Sequence, residues 1–137
     1  MPAFVEFDHV YKRYKMGEVT ITANDDVSFA VNKGEFAVIV GSSGAGKSTV
    51  LNILGGMDHC DEGTIYVDGK KISDMKEREL TTYRRYDIGF VFQFYNLVPN
   101  LTAKENVELA CQICKDPLDV ETVLTNVGLK DRMSNFP

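Results

Sequence analysis

The 137-residue chain contains no tryptophan, only three cysteines and no long apolar run. Its longest strongly apolar stretch is Phe36–Val40, far short of the ~20 residues that a membrane-spanning helix requires. Three cysteines do not form the disulfide framework of a small secreted scaffold, and a chain of this length can bury a core without one. The sequence therefore predicts a globular protein, or part of one, that does not span a membrane.

Positive charge is also scarce, since 15 Lys and Arg residues stand against 20 Asp and Glu residues and the net charge is −5. General nucleic-acid binding depends on clustered Lys and Arg that neutralise phosphates, so we expect no nucleic-acid partner. Glu6 and Asp8 interrupt the position where a secretory signal would need an apolar core. We therefore expect a cytoplasmic location.

Two hydrophobic patterns predict strands. Alternation over Phe4–Val10 and Val27–Val31 is typical of half-exposed, antiparallel strands. The unbroken apolar run Phe36–Val40 is typical of a strand covered on both faces, and Ile88–Phe92 is predicted to be a further apolar strand. A hairpin is expected around the Asp68-Gly69 pair, because both residues accept the positive φ of a tight turn. The expected fold class is therefore α/β, with an N-terminal antiparallel β-subdomain, in a single domain over residues 1–137.

Helices are predicted by spacing and by capping residues. Apolar residues spaced i, i+3 and i+4 favour a helix over Lys47–Leu54, which glycines would end. Asp74 and Glu77 resemble a cap for a second helix, and Thr102 and Glu105 form a capping box for a third. The apolar face of that third helix would bury Val107, Ala110, Cys111 and Cys114. A last helix would carry Val120, Val123, Leu124 and Val127 and end at Gly128.

The segment Gly41–Ser48 matches the phosphate-binding pattern G-x-x-x-x-G-K-[ST] between a predicted buried strand and a predicted helix. Glycines let the main chain wrap an anion, so that successive amides and the helix N-terminus point at phosphate oxygens. Lys47 would add charge at the β- and γ-phosphates, and the Ser48 hydroxyl would ligate Mg²⁺. The predicted nucleotide-binding residues are Gly41, Ser42, Ser43, Gly44, Ala45, Gly46, Lys47, Ser48 and Thr49.

A phosphate loop alone does not choose among kinases, GTPases and transport ATPases. Together with Tyr14, Phe90-Val91-Phe92-Gln93 and Leu101–Val107, however, the chain resembles the ATP-binding subunit of an ABC transporter. The sequence around Gly55–Asp58 and Glu105–Leu109 is similar to that of the macrolide, lipoprotein and antimicrobial-peptide exporter group. The resemblance implies a P-loop NTPase core of the ABC type, with ATP and Mg²⁺ as cofactors.

The resemblance also implies roles for residues outside the P-loop. Tyr14 would stack on adenine, with Tyr11 as the other candidate. Gln93 would be the Q-loop glutamine, a catalytic residue with Lys47, whose amide touches Mg²⁺ or the attacking water. The exposed apolar residues of Tyr95–Pro99 would face a transmembrane partner, which places the protein peripherally on the inner face of the cell membrane. Each role has a structural alternative, such as a core tyrosine, a strand-closing glutamine or a buried loop anchor.

Several motifs of the family are missing from the chain: the signature Leu-Ser-Gly-Gly-Gln, the strand that ends in Asp-Glu, and the switch histidine. We therefore expect the N-terminal part of an ATPase domain, truncated before the signature motif, which binds nucleotide but hydrolyses it poorly. The full-length protein would be a homodimer of ATPase domains. The alternatives are a self-contained, non-catalytic nucleotide-binding or regulatory module, and another P-loop enzyme such as a nucleotide kinase.

Histidines and cysteines carry no predicted chemistry. His9 and His59 are expected to be ordinary surface residues. Cys111 and Cys114 have the C-x-x-C spacing of a metal or redox site, but their place on an apolar helical face favours packing over zinc binding. No metal site other than the expected Mg²⁺ site is predicted.

Overall fold

The computed structural model describes residues 2–137. Its contacts divide the chain into two compact units, of which the first ends at Arg84 and the second runs from Arg85 to Pro137. The single domain predicted over residues 1–137 stays a prediction, and the contacts within the chain group into these two units. No helix among residues 2–137 combines the length and the apolar character needed to cross a bilayer.

The first unit is built on an antiparallel sheet in the order β2-β1-β3-β4. Its strands are β1 (Val5–Met16), β2 (Val19–Val31), β3 (Glu62–Val67) and β4 (Lys70–Lys71). The predicted hairpin is confirmed, because Asp68 and Gly69 take φ values of 48° and 76° between β3 and β4. The N-terminal antiparallel β-subdomain is therefore present, with longer strands than the alternation predicted.

Two helices cover part of this sheet. Helix α1 (Lys47–Leu54) is confirmed within its predicted bounds and ends at Gly55, and it buries Val50 and Ile53. Helix α2 (Glu77–Tyr86) buries Leu80 and Tyr83, and the Tyr83 hydroxyl donates to the Leu54 carbonyl at 2.5 Å. The core of the first unit thus lies between the sheet and the inner faces of α1 and α2.

The predicted cap of α2 at Asp74 is wrong. Asp74 lies in a short 3₁₀ turn, Ile72–Asp74, where its carboxylate pairs with the Lys71 ammonium at 2.9 Å. The Lys76 carbonyl instead accepts the amide of Leu80 at 2.9 Å, so the first turn of α2 starts two residues after Asp74. A residue already used in a preceding turn was not available as the helix cap.

The strands predicted at Phe36–Val40 and Ile88–Phe92 are absent from the structure described over residues 2–137. Residues 36–40 and 88–92 form no ladder with any other segment of residues 2–137. Val40 is 83% exposed, the reverse of the strand covered on both faces that was predicted there, and Val91 is 96% exposed. A cavity of about 840 Å³ lies beside residues 36–39, lined by apolar side chains that include Phe29, Leu51 and Leu54. An apolar run becomes a strand only where a neighbour pairs with its main chain, and the described residues supply none.

The second unit contains α3 (Ala103–Cys111), α4 (Val120–Asn126) and a 3₁₀ turn, Lys130–Arg132. The capping box is confirmed, since the Thr102 hydroxyl accepts the Glu105 amide while the Glu105 carboxylate accepts the Thr102 amide. Helix α4 is confirmed as well, and Gly128 follows it with φ of 79°.

The predicted buried face of α3 is wrong in part. Cys111 is half-buried, Ala110 is exposed, and Cys114 lies beyond the helix and is exposed. The apolar residues have helical spacing, but α3 ends at Cys111. Cys114, the last residue of the predicted apolar face, therefore lies outside the helix.

Candidate nucleotide-binding site

The P-loop (residues 41–48) is turned rather than extended. The Ala45 amide donates to the Ser42 carbonyl at 3.2 Å, and Gly44 and Gly46 take φ values of 78° and 92°. A Cβ on Gly46 would lie 2.1 Å from the Ala23 carbonyl oxygen of β2, whereas a Cβ on Gly44 would meet nothing within 4 Å. Gly46 is therefore required both by its conformation and by the close approach of the loop to the sheet.

The start of α1 presents main-chain donors that the protein itself does not use. Gly46 occupies the N-cap position, and no side chain caps the helix. Across residues 2–137, the amides of Gly46, Lys47 and Ser48 donate to no protein acceptor. Unpaired amides at a helix N-terminus, with the partial positive charge of the helix dipole, bind anions such as phosphate.

Lys47 points back over the loop. Its ammonium donates to the carbonyl oxygens of Gly41 at 2.7 Å and Ser42 at 2.6 Å. No carboxylate in the part of the chain that the structure describes forms an ion pair with Lys47. Because carbonyls leave the ammonium charge uncompensated, the loop holds a full positive charge next to the unpaired amides. The Ser48 hydroxyl is exposed beside them.

Tyr14 lies near this loop, at the α1 side of β1. Its hydroxyl donates to the Asp58 carboxylate at 2.6 Å, just beyond the C-terminal end of α1. The pKa of the Tyr14 phenol is raised by burial and by the Asp58 hydrogen bond, while a hydrogen bond with the Thr49 side chain acts in the opposite direction. Tyr14 thus contacts the helix that follows the P-loop, through Thr49.

Tyr11, the other candidate, lies in different surroundings. The guanidinium of Arg13 covers its ring at 5.0 Å from the centroid. Burial, followed by the charges of Asp26, Asp25 and Glu62, raises the pKa of its phenol. These neighbours belong to the sheet and not to the P-loop, so the geometry favours Tyr14.

Asp58 and Lys12 are polar residues beside Tyr14 that the sequence analysis did not identify. The Lys12 ammonium donates to Asp58 at 2.9 Å and lies 5.0 Å from the centroid of the Tyr14 ring. Burial acts to raise the pKa of Asp58, but the hydrogen bonds from Tyr14 and Lys12 outweigh it and the pKa is lowered. The i, i+2 spacing of Lys12 and Tyr14 on a strand was a readable signal that they share a face, whereas nothing in the sequence pointed to Asp58.

Gln93 belongs to the second unit, where the Gln93 loop (residues 93–99) leaves its side chains in solvent. Gln93 is exposed, and Phe94 and Tyr95 are 77% and 90% exposed. The exposure predicted for the apolar residues of Tyr95–Pro99 is confirmed for Tyr95 and Leu97, which are 90% and 51% exposed, whereas Val98 is half-buried. Because Gln93 and the P-loop lie in different units, the role of Gln93 at the phosphates stays a prediction.

One side chain ties the end of the Gln93 loop to α3. The Asn106 amide oxygen accepts the Val98 amide at 2.8 Å. Its NH₂ group donates to the carbonyls of Val98, Leu101 and Thr102 at 3.2, 3.1 and 3.0 Å. The sequence analysis used Asn106 only as part of a family pattern, and its structural role is to close this loop.

The histidines and cysteines form no metal site. His9 and His59 are exposed and pair with Asp26 and Glu77, at 2.6 and 2.7 Å. Among residues 2–137, no group of three or more His, Cys, Asp or Glu side chains is arranged to hold a metal ion. The P-loop and Tyr14 are therefore the candidate site.

The family is settled by comparison with known proteins. Residues 24–137 match the family model described as ABC transporter. The chain belongs to the ABC transporter family. An uncharacterized ABC transporter ATP-binding protein of Thermotoga maritima is 43% identical over 100% of this chain and 61% of its own length. The lipoprotein-releasing system ATP-binding protein LolD of Shewanella frigidimarina is 38% identical over 98% of this chain and 59% of its own length.

A solved structure agrees with this assignment. The ATP-binding cassette MJ0796, determined as a dimer in a post-hydrolysis state with ADP and Pi, superposes with a TM-score of 0.85 at 42% identity. The alignment covers 96% of this ABC family chain and 60% of the MJ0796 chain. The fold is therefore that of an ABC ATPase cassette, of which this chain spans about 60%.

Proposed function

We propose that this chain is the ATP-binding part of an ABC transporter ATPase, which couples binding and hydrolysis of MgATP to the work of a membrane partner. The observation that carries the proposal is the P-loop itself. The amides of Gly46, Lys47 and Ser48 donate to no protein acceptor, and the same loop carries the Lys47 ammonium, which no carboxylate of residues 2–137 neutralises. A polyphosphate satisfies these donors and this charge at once.

The residues present also fit a bound Mg²⁺. The exposed Ser48 hydroxyl lies beside the phosphate-binding amides, and an oxygen ligand next to phosphates is the kind of site that Mg²⁺ occupies. When bound, Mg²⁺ would neutralise charge on the phosphates. Ser48 would hold it, with Gln93 as the second proposed ligand, while Lys47 and the P-loop amides, from Gly41 through Thr49, would bind the phosphate oxygens.

The chain by itself is proposed to bind nucleotide and to hydrolyse it poorly. Phosphoryl transfer needs the developing charge to be surrounded by donors, and the sequence contains no signature motif or Asp-Glu strand end. MJ0796 has been solved as a dimer with ADP and Pi. We infer a homodimer of ATPase domains for the full-length protein as well.

The Gln93 loop is the proposed contact with a transmembrane subunit. Its exposed Phe94 and Tyr95 offer apolar surface of the kind that protein partners cover. The named activity of the LolD relative, a lipoprotein-releasing system, supports a transporter as the partner assembly. Through such a partner the protein would lie on the cytoplasmic face of the cell membrane, and we propose no nucleic-acid partner.

Calorimetric titration with MgATP tests the proposal. Lys47→Ala removes a charge-assisted bond to the phosphates, worth about 1.5–3 kcal/mol, so ATP affinity should fall about 12- to 160-fold. Lys33→Ala removes an exposed lysine of the same unit and serves as the control, with unchanged affinity. Equal ATP affinity of Lys47→Ala and the parent chain would refute the proposed nucleotide binding. Measurable ATP turnover by the parent chain that is lost in Lys47→Ala would refute the proposed poor hydrolysis.

A further inference from the structure

Tyr14, Asp58 and Lys12 form a hydrogen-bonded cluster beside α1, in which Asp58 lies just beyond the C-terminal end of the helix. We propose that Asp58 and Lys12 are positioning residues, which hold the Tyr14 ring ready for a nucleotide base before the base arrives. The inference rests on the proposed function, because it assumes that ATP binds at the P-loop. It adds two residues and a mechanism to that function.

Asp58 fixes the outer end of the Tyr14 side chain. The carboxylate accepts the Tyr14 hydroxyl on one oxygen at 2.6 Å and the Lys12 ammonium and the His59 amide on the other, at 2.9 and 2.8 Å. A carboxylate bound by three donors does not rotate freely. The Tyr14 ring is therefore held at its backbone and at its hydroxyl, and its two side-chain torsions are restrained.

Lys12 acts on the same ring from the side. Its side chain is only 11% exposed, and its ammonium lies over the Tyr14 ring, 5.0 Å from the centroid. An ammonium at this distance is attracted by the electron density of the ring face. Since Lys12 occupies one face of the ring, a base would stack on the other face alone.

This arrangement has a consequence for base recognition. The phenol proton is donated to Asp58, so the Tyr14 hydroxyl has no proton left to offer a base. A ring that presents only its face accepts any purine, because every base has a π-face. We therefore expect Tyr14 to contribute equally to the binding of ATP and GTP.

Preorganisation predicts a measurable gain in affinity. Immobilising a side chain on binding costs about 0.5–1.5 kcal/mol, equivalent to about 2- to 12-fold in affinity. The Asp58 hydrogen bond removes that cost, since the ring is already held. Loss of this hydrogen bond should therefore weaken the binding of ATP but not that of inorganic tripolyphosphate, which contains no base.

The test compares MgATP with Mg-tripolyphosphate by calorimetry for Asp58→Ala, Tyr14→Phe and the double variant. We expect each single variant to lower the ATP-to-tripolyphosphate affinity ratio about 2- to 12-fold. The double variant should lose clearly less than the sum of the two single losses, because both changes break the Tyr14–Asp58 bond, while each also removes one further contact, with Thr49 or with Lys12. Asp58→Asn keeps a hydrogen-bond acceptor and should recover part of the loss. Tyr14→Ala removes the ring altogether and should lower the ATP-to-tripolyphosphate affinity ratio about 5- to 150-fold, which is the largest loss expected.

The ratio of ATP affinity to tripolyphosphate affinity separates positioning of the Tyr14 ring from effects of charge on phosphate binding. Removing a negative charge near bound phosphates changes the affinities for ATP and tripolyphosphate alike and so leaves their ratio unchanged. Asp25→Asn, which removes a charge on β2, is the control and should leave the ratio unchanged. The inference is overturned if Asp58→Ala and Tyr14→Phe leave the ratio unchanged or have additive effects. If the parent chain binds neither anion, or Lys47→Ala changes neither affinity, the proposed function itself fails. Tyr14→Phe decides the question even if Asp58→Ala does not fold.

Discussion

The P-loop and the Gln93 loop are held in different ways. The P-loop packs against β2 so closely at Gly46 that no Cβ fits, and the Lys47 ammonium bonds to two of its carbonyls. The Gln93 loop is fixed only near its C-terminal end, by Asn106, while Phe94 and Tyr95 extend into solvent. One loop is built by the contacts within its own unit, and the other keeps its side chains free for contacts elsewhere.

This difference agrees with the function proposed for each loop. A phosphate site must offer its donors in fixed positions, because the cost of ordering them would otherwise be subtracted from affinity. A loop that meets a partner has exposed apolar side chains, and their burial waits for the partner. We therefore expect substitutions to be costly in the P-loop and inexpensive among the exposed side chains of the Gln93 loop.

The largest effect is expected for Gly46→Ala. A Cβ there would lie 2.1 Å from the Ala23 carbonyl oxygen, and the residue has φ of 92°. Strain plus clash should lower the free energy of unfolding by about 3 kcal/mol or more and abolish ATP binding. Urea unfolding and calorimetry measure the two effects.

Gly44→Ala is the matched control for this clash. Gly44 also has positive φ, 78°, but nothing lies within 4 Å of its Cβ position. Only the left-handed conformation is penalised, at about 1–2 kcal/mol. If Gly44→Ala and Gly46→Ala cost the same, the close packing of the P-loop on β2 is not what holds it.

A smaller effect is expected for Asn106→Ala. The change leaves the Val98 amide and three carbonyls without their side-chain partner, at a cost of about 1–3 kcal/mol. Proteolysis of the second unit near residues 93–99 should become faster, while ATP affinity stays the same. Tyr95→Ser, which changes a 90% exposed side chain, should alter neither rate nor affinity. Slower cleavage of the Asn106→Ala variant than of the parent chain would contradict this account of the loop.

The parts of the fold that the sequence predicted well are those whose signals are local. The hairpin at Asp68-Gly69, the capping box at Thr102 and the stop of α1 after Leu54 each depend on residues a few positions apart. The phosphate loop is of the same kind, since its glycines and lysine lie within eight positions. Such features form wherever their own segment is in place.

Features that depend on distant segments were not predictable in the same way. Residues 36–40 and 88–92 have strand composition, but a strand also needs a hydrogen-bonded neighbour, and none is present within residues 2–137. Asp58 was missed for a related reason: it reaches Tyr14 across 44 positions of the sequence. Composition indicates what a segment is able to do, whereas a contact between distant residues depends on the path of the chain.

The smallest effect concerns the pH dependence of the Asp58 cluster. Hydrogen bonds from Tyr14 and Lys12 outweigh burial and lower the pKa of Asp58 from 3.8. A carboxyl group with a lowered pKa stabilises the folded state at pH values above its unfolded pKa, and this contribution is lost as the pH falls through the folded pKa. The difference in unfolding free energy between the parent chain and Asp58→Asn should thus be constant above about pH 5 and shrink below about pH 4. Urea titrations from pH 3 to 7 measure it. In a Lys12→Met background this free-energy difference should change less steeply with pH, because one of the donors that lower the pKa of Asp58 is gone. An unchanged pH dependence would mean that Lys12 does not act on Asp58.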